Sequence, residues 1–232
     1  MTQTARYSKT LDSRLSPLLE RREFAALRDV LSSLSHAQFR MAGIMIGERY
    51  APRMDSASFW TLARCLVEWD SKAFLVTMLK AAVLRAAGEP SFMHDEGFAD
   101  FCTVLNDVDK FKLLARLLPV AHDHDDVPRL FALIGWTDRR QWLQPLMQVS
   151  SMPCYYTLFL ALRTIEDDRA YLIRTAVYLM KKGDSLSFNM ACLVKEYFAL
   201  DEVKGTFSMK LKPYQFSRVE TSYDAFRSLM SI

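Results

Sequence analysis

The sequence predicts an all-α fold of stacked antiparallel helix pairs, of the α-solenoid or helical-repeat kind, with an irregular helical bundle as the alternative. Three observations carry this. Apolar residues recur at three- and four-residue spacing along most of the chain. Glycine is scarce, 7 residues in 232, and proline modest at 8, so few positions demand special backbone angles. A short pattern also returns along the chain: an apolar residue, two others, a second apolar residue, then a helix-capping type.

The apolar stripes come first. Phe74, Met78, Leu79, Ala82 and Val83 line one helical face. So do Phe111, Leu114, Ala115 and Leu118, then Leu172, Ala176, Val177 and Met180, and then Met190, Leu193, Val194 and Tyr197. Cys154–Ile165 is apolar nearly all round, which predicts a helix enclosed on several sides.

The repeated pattern reads Leu31-x-x-Leu34-Ser35, Leu66-x-x-Trp69-Asp70, Leu105-x-x-Val108-Asp109, Leu133-x-x-Trp136-Thr137, Leu162-x-x-Ile165-Glu166 and Tyr197-x-x-Leu200-Asp201. The apolar pair ends one helix on its buried side. The Ser, Asp or Thr then accepts a hydrogen bond from an N–H left unpaired in the first turn of the next helix. Glutamate is a poor cap, so Asp167 is expected to replace Glu166. Each copy therefore predicts a tight corner, at separations matching helical-repeat units.

Helices follow near 17–33, 36–49, 56–68, 71–87, 92–105, 110–120, 126–135, 138–149, 153–165, 168–182, 186–199 and 214–230. Gly88-Glu89-Pro90 and Lys182-Gly183-Asp184 punctuate loops. Pro153 suits a first helical turn, and Pro145 should kink or end its helix. Phe207–Lys212 alternates apolar and polar residues and is the one strand-like stretch. No linker or low-complexity segment appears. Residues 1–232 read as a single helical domain, with 1–16 a flexible N-terminal segment and 203–232 a tail packing on the last helices.

Half the residues are hydrophobic and a quarter charged, so wholesale disorder is excluded. A formal net charge of +3, from 30 basic and 27 acidic residues, supplies no general attraction to nucleic acid or acidic membrane. Cys65, Cys102, Cys154 and Cys192 are far apart and form no CxxC pair, which reads as buried thiols in a reducing compartment. Residues 1–23 lack an apolar signal-peptide core, and no stretch reaches the ~18 apolar residues of a membrane span. A cytoplasmic location is expected.

The most chemically suggestive stretch is His122-Asp123-His124-Asp125-Asp126, in which His122, His124 and Asp125 are candidate metal ligands. Three of the four histidines precede an aspartate, at His94-Asp95, His122-Asp123 and His124-Asp125. The dipeptide resembles that of the helical HD-type metal phosphohydrolases, and the resemblance implies a metal-dependent hydrolase. In that family the pair sits on a packed helix, with a further His and Asp from other helices. Here both stretches read as loops, near Pro90 and Pro128, so a solvated turn with Asp125 or Asp126 capping the next helix is expected.

Basic residues cluster at Arg21, Arg22 and Arg28, at Arg139 and Arg140, at Arg163, Arg169 and Arg174, at Lys181 and Lys182, and at Lys204, Lys210 and Lys212. On one concave face they would bind nucleic acid; scattered, they are solvated helix surface. No GxSxG, P-loop or GxGxxG is present. The expected function is therefore a non-enzymatic interaction or scaffold module, without catalytic residues or cofactor. It would present a groove or face of helices to a peptide or protein partner, with exposed aromatic and Met side chains as contacts. A nucleic-acid-binding helical-repeat protein is the first alternative, and a metal-dependent hydrolase using His122–Asp126 the second.

Overall fold

The computed structural model describes residues 3–204, Ser217 and residues 222–231, with side chains described for all of these except residues 3–8 and 90. All regular structure in these residues is helical. The α-helices are α1 (Gln3–Glu20), α2 (Phe24–Ser32), α3 (His36–Met45), α4 (Ser56–Gly88), α5 (Glu96–Thr103), α6 (Asp107–Leu117), α7 (Asp126–Leu133), α8 (Arg139–Gln148), α9 (Met152–Arg163), α10 (Arg169–Lys181), α11 (Ser185–Tyr197) and α12 (Tyr223–Met230). The first helix begins at Gln3, well before the expected start near residue 17. The strand-like stretch Phe207–Lys212 lies outside the described residues. The helices gather into two compact units, Met1–Val120 and Ala121–Ile232.

In the first unit, α4 is the organising element. Its 33 residues are interrupted at Asp70, whose φ of −148° and ψ of 85° are extended rather than helical. The Asp70 carboxylate accepts a hydrogen bond from the Ala73 N–H at 3.1 Å, so it caps a new helix inside the element. The two halves match the two helices the sequence predicts on either side of this corner. The first half carries the core: Trp60 stacks on Phe92 at 4.7 Å, meets Phe98 and Phe101 at 4.8 and 5.4 Å, and donates its indole N–H to the Phe92 carbonyl at 3.1 Å. These rings are buried, and such rings are the largest apolar contributions a core contains. Gly97 starts α5 against this cluster; a Cβ there would come within 2.9 Å of the Trp60 Cβ.

The end of α3 widens into a π-turn over Ile46–Tyr50. Arg49 and Tyr50 both bond the Asp12 carboxylate of α1, the arginine at 2.8 Å. Gly47 in this turn is buried, and a Cβ added there would fall on Cγ2 of Thr77. Glycine is thus what lets α3 approach the second half of α4 so closely.

In the second unit, α9 is the enclosed helix the sequence predicts, buried from Pro153 to Phe159 and again at Ala161 and Leu162. Helices α7, α8, α11 and α12 surround it. The C-terminal helix docks through aromatic contacts, Tyr223 and Phe226 lying 5.2 and 5.3 Å from Tyr156, and the Asn189 side chain donates to the Met230 carbonyl at 3.0 Å. Helix α8 runs through Pro145 to Gln148, and so does not end at the proline. One turn from the C-terminus, the missing N–H forfeits a single bond.

Capping side chains stand at or near five of the six expected corners; the sixth, at Asp201, leads into residues outside the described ones. Ser35 forms a full capping box with Gln38. At the third corner the cap is Asn106, and Asp109 instead accepts from the Asn106 side chain at 2.9 Å; Val108, expected to be a buried lock, is 64% exposed. Asp138 caps α8 in place of Thr137, and Asp168 caps α10 in place of Glu166 or Asp167. At the fourth corner the reason is turn geometry. Trp136 N–H bonds the Phe131 carbonyl across Gly135, whose φ is +79°, and this left-handed step inserts an extra residue before the next helix starts.

Candidate functional site

One recess of the first unit lies where α3 meets the second half of α4. Ser35 sets the start of α3 and so places Phe39 one turn in. The Asp70 break turns α4 so that Trp69, before it, and Phe74, after it, both reach Phe39. The Phe39 ring lies 6.0 Å from Trp69 and 5.5 Å from Phe74, edge-on to both, and the Arg28 guanidinium sits 5.9 Å from the Trp69 centroid. Gly43 lies beside Phe74 in this recess. The recess holds about 560 Å³, with His36, Arg40 and Lys72 at its rim and Phe39 and Phe74 in its floor.

A second recess of about 380 Å³ continues along α4, between Lys80, Val83 and Leu84 and Arg116 of α6. Thr77 lines the first recess and lies one turn before Lys80, so one helix face serves both. Exposed aliphatic side chains stand along it, Val76 at 45% and Leu84 at 68%, with Ile44 of α3 54% exposed at the first recess. The exposed side chains on offer here are aliphatic, beside the aromatic floor of the first recess. Trp60 and Trp136 are buried, and Trp69 and Trp142 half-buried.

A third recess, about 380 Å³, opens beside Arg22, Arg53, Tyr50 and Asp55. Arg22 pairs there with Asp55 at 2.7 Å. The Asp55 carboxyl is held below its usual range, first by the Ser58 N–H, then by the Ser58 hydroxyl, with Arg22 adding to this.

The second unit contains the densest polar cluster, at the joint of α8, α9, α10 and α11. Lys182 Nζ donates to the Met147 carbonyl at 2.9 Å and to the Tyr155 oxygen at 3.1 Å. The Tyr155 and Ser187 hydroxyls are 2.5 Å apart, and Ser187 donates to Asp184 at 2.5 Å. A lysine, a tyrosine and a serine in hydrogen-bonded sequence suggest acid–base chemistry. Ser187 and Tyr155, however, have no exposed surface, and the serine proton is engaged by Asp184. Nothing can approach the serine oxygen, so the cluster is a structural joint.

The candidate metal ligands divide. Asp123, His124 and Asp125 bring their ligand atoms within 4.8 Å of one another, whereas His122 is exposed and outside that group. His124 Nδ1 lies 2.6 Å from Asp123 and Nε2 3.4 Å from Asp125, and the ring stacks on Tyr223 at 4.4 Å. Both nitrogens thus face carboxylates from adjacent residues on an exposed turn, and no other element adds a ligand among the described residues. Asp125, one of the two aspartates expected to cap α7, stands at its N-cap position without a side-chain capping bond.

The basic clusters are largely engaged locally. Arg169 bonds Glu202 and the Ala199 carbonyl, Arg139 lies over Trp142, Arg174 over Tyr171, and Lys182 belongs to the polar joint. Lys210 and Lys212 lie outside the described residues. No helix among the described residues is long and apolar enough to cross a membrane. No protein-family model matches the chain, and neither a curated protein nor a solved structure is significantly similar to it.

Proposed function

We propose that the chain is a non-enzymatic interaction module that holds a peptide or protein partner on the first unit, in the groove between α3 and the second half of α4. One observation carries this reading: a recess of about 560 Å³ with an aromatic floor runs into a helix face whose aliphatic side chains are exposed. Scattered single apolar side chains are ordinary on a protein surface, whereas a concave row of them beside a groove is how helical proteins receive ligands. The polar joint around Ser187 is closed to solvent, which favours recognition over catalysis as the role of this fold.

A display library of random 16-residue peptides, panned against the purified protein, tests the reading. Enriched peptides should compete with one another and lose binding to Ile44→Glu and Val76→Glu variants, whose changes lie at exposed positions. Failure to enrich any peptide, or enrichment of peptides indifferent to both substitutions, ends it.

A further inference from the structure

We infer that the groove receives an acidic amphipathic helix of a partner protein, laid along the second half of α4; this rests on the interaction reading above. Two observations carry it. The first is spacing. Ala73, Val76, Lys80, Val83 and Ala87 follow one another at intervals of three and four residues, the seam pattern by which one helix packs against another. Leu84 flanks the seam. Val83 is half-buried and the other five are exposed, while Phe74, Met78, Leu79 and Ala82 on the opposite face are buried in the unit's own core. A helix apolar on both faces ordinarily has both covered. Here only one is.

The second is charge. Arg40, Lys72, Lys80 and Arg116 border the two recesses, against the single carboxylate of Asp70, one oxygen of which is used on the Ala73 N–H. None of these four cations makes an ion pair among the described residues. Other cations of the unit do: Arg22 with Asp55, Arg49 with Asp12, Arg64 with Asp100, Arg85 with Glu89 and Lys112 with Asp109. A largely apolar seam that carries Lys80 within it and has Arg40, Lys72 and Arg116 beside it is complementary to a helix with apolar a and d positions and glutamate or aspartate next to them. An anionic membrane would also meet cations and aliphatic groups. It is disfavoured because the aromatic rings lie in the floor of a concave recess, where a side chain can enter and a bilayer cannot.

The test uses a 21-residue labelled peptide with leucine at each a and d position and glutamate at each e and g. Its partners are a lysine-for-glutamate version, a scrambled version without the stripe, and vesicles of phosphatidylcholine and phosphatidylglycerol at three to one. Binding to the full chain is read by fluorescence anisotropy. The acidic amphipathic peptide should bind about tenfold or more tighter than either control peptide, and its affinity should fall as salt rises. Leu84→Asp, at a side chain 68% exposed, should weaken it about tenfold with circular dichroism and melting unchanged. Lys80→Glu should narrow the preference for the glutamate peptide over the lysine peptide.

Equal binding of the glutamate and lysine peptides overturns the inference, as does binding to vesicles but not to the peptide. So does self-association of the chain that Leu84→Asp abolishes, since a second copy would then be the occupant. If library-selected peptides bind the groove while the acidic helix does not, the partner class is wrong and the interaction reading stands. If neither binds, both fall.

Discussion

The buried hydroxyls of Tyr155 on α9 and Ser187 on α11 meet at 2.5 Å, and through them a lysine on one side is linked to an aspartate on the other. Because both hydroxyls are sealed from water, they rely on protein partners alone: Lys182 and Ser187 for Tyr155, and Asp184 and Tyr155 for Ser187. Ser187→Ala is expected to cost about 1–3 kcal/mol, the penalty of leaving a buried polar partner unsatisfied. Tyr155→Phe should cost a similar amount, and the double variant less than the sum. Urea unfolding of the four proteins measures this, and strict additivity would show that the two hydroxyls act independently.

The same joint gives the second unit an acid-sensitive element. Partial burial raises the Asp184 pKa, but the Ser187 hydroxyl and N–H, the Ser150 hydroxyl and Lys182 outweigh it and leave the group below its ordinary 3.8. A carboxyl depressed on folding adds stability above its unfolded pKa, and that contribution is lost as pH falls through the folded value. Asp184→Asn should therefore be less stable than the parent at neutral pH, with the difference shrinking below about pH 4. Melting temperatures from pH 7 down to about 2 test this; a constant gap across the range contradicts it.

Gly47 and Thr77 set the distance between α3 and α4. Gly47→Ala should destabilise the protein by about 1–3 kcal/mol, because the new methyl at this buried position meets the Thr77 Cγ2. In a Thr77→Ser background that carbon is gone. The helical preference of alanine over glycine, up to about 1 kcal/mol, should then show through and reverse the sign. Equal penalties in the two backgrounds would mean the contact is not what excludes a side chain.

Two helix ends use the left-handed region differently. Helix α7 ends at Gly135, with φ +79°, but α11 ends at Ala199, with φ +47°, in the same arrangement: the Leu200 N–H bonds the Lys195 carbonyl across it. Ala199→Gly should raise stability by about 0.5–1 kcal/mol, and Gly135→Ala should lower it by about as much. Chemical denaturation of both variants checks the pair, and a destabilised Ala199→Gly refutes the strain at that corner.

The thiols offer a further check. Burial pushes Cys102 up to about 12 and Cys154 up to about 11, so neither holds a useful thiolate at neutral pH. Cys65 is only half-buried. Alkylation followed by peptide mass spectrometry should modify Cys65 first, the other two reacting only when the chain is unfolded. Cys102 or Cys154 reacting as fast as Cys65 would contradict the packing around them.

Much of this architecture was legible in the residues. The enclosed helix at 153–163 follows from its nearly continuous apolar character, and the break in α4 follows from an aspartate placed directly after Trp69. Both are local, depending on side chains within a turn of one another. Caps were misplaced where a turn absorbed an extra residue, as at Gly135 before Asp138, because the number of residues in a corner depends on how the next helix must pack. The groove was less legible still. Arg40 and Arg116 are far in sequence from Lys72 and Lys80 of α4, and the four form no run of charge; only the packing of α3 and α6 on α4 brings them together.

The stretch from Ala73 to Ala87 shows where the division falls. Its sequence alone determines a helix, with apolar residues on two faces and a capping aspartate before it. Which face is buried was decided by tertiary structure. Phe74, Met78, Leu79 and Ala82 meet neighbouring helices, while Val76 and Leu84 meet water. The two faces are chemically similar, so helical periodicity cannot rank them. Burial is set by which of them a neighbouring helix can reach without clash, and at Gly47 the missing side chain lets α3 come against Thr77 beside the buried face.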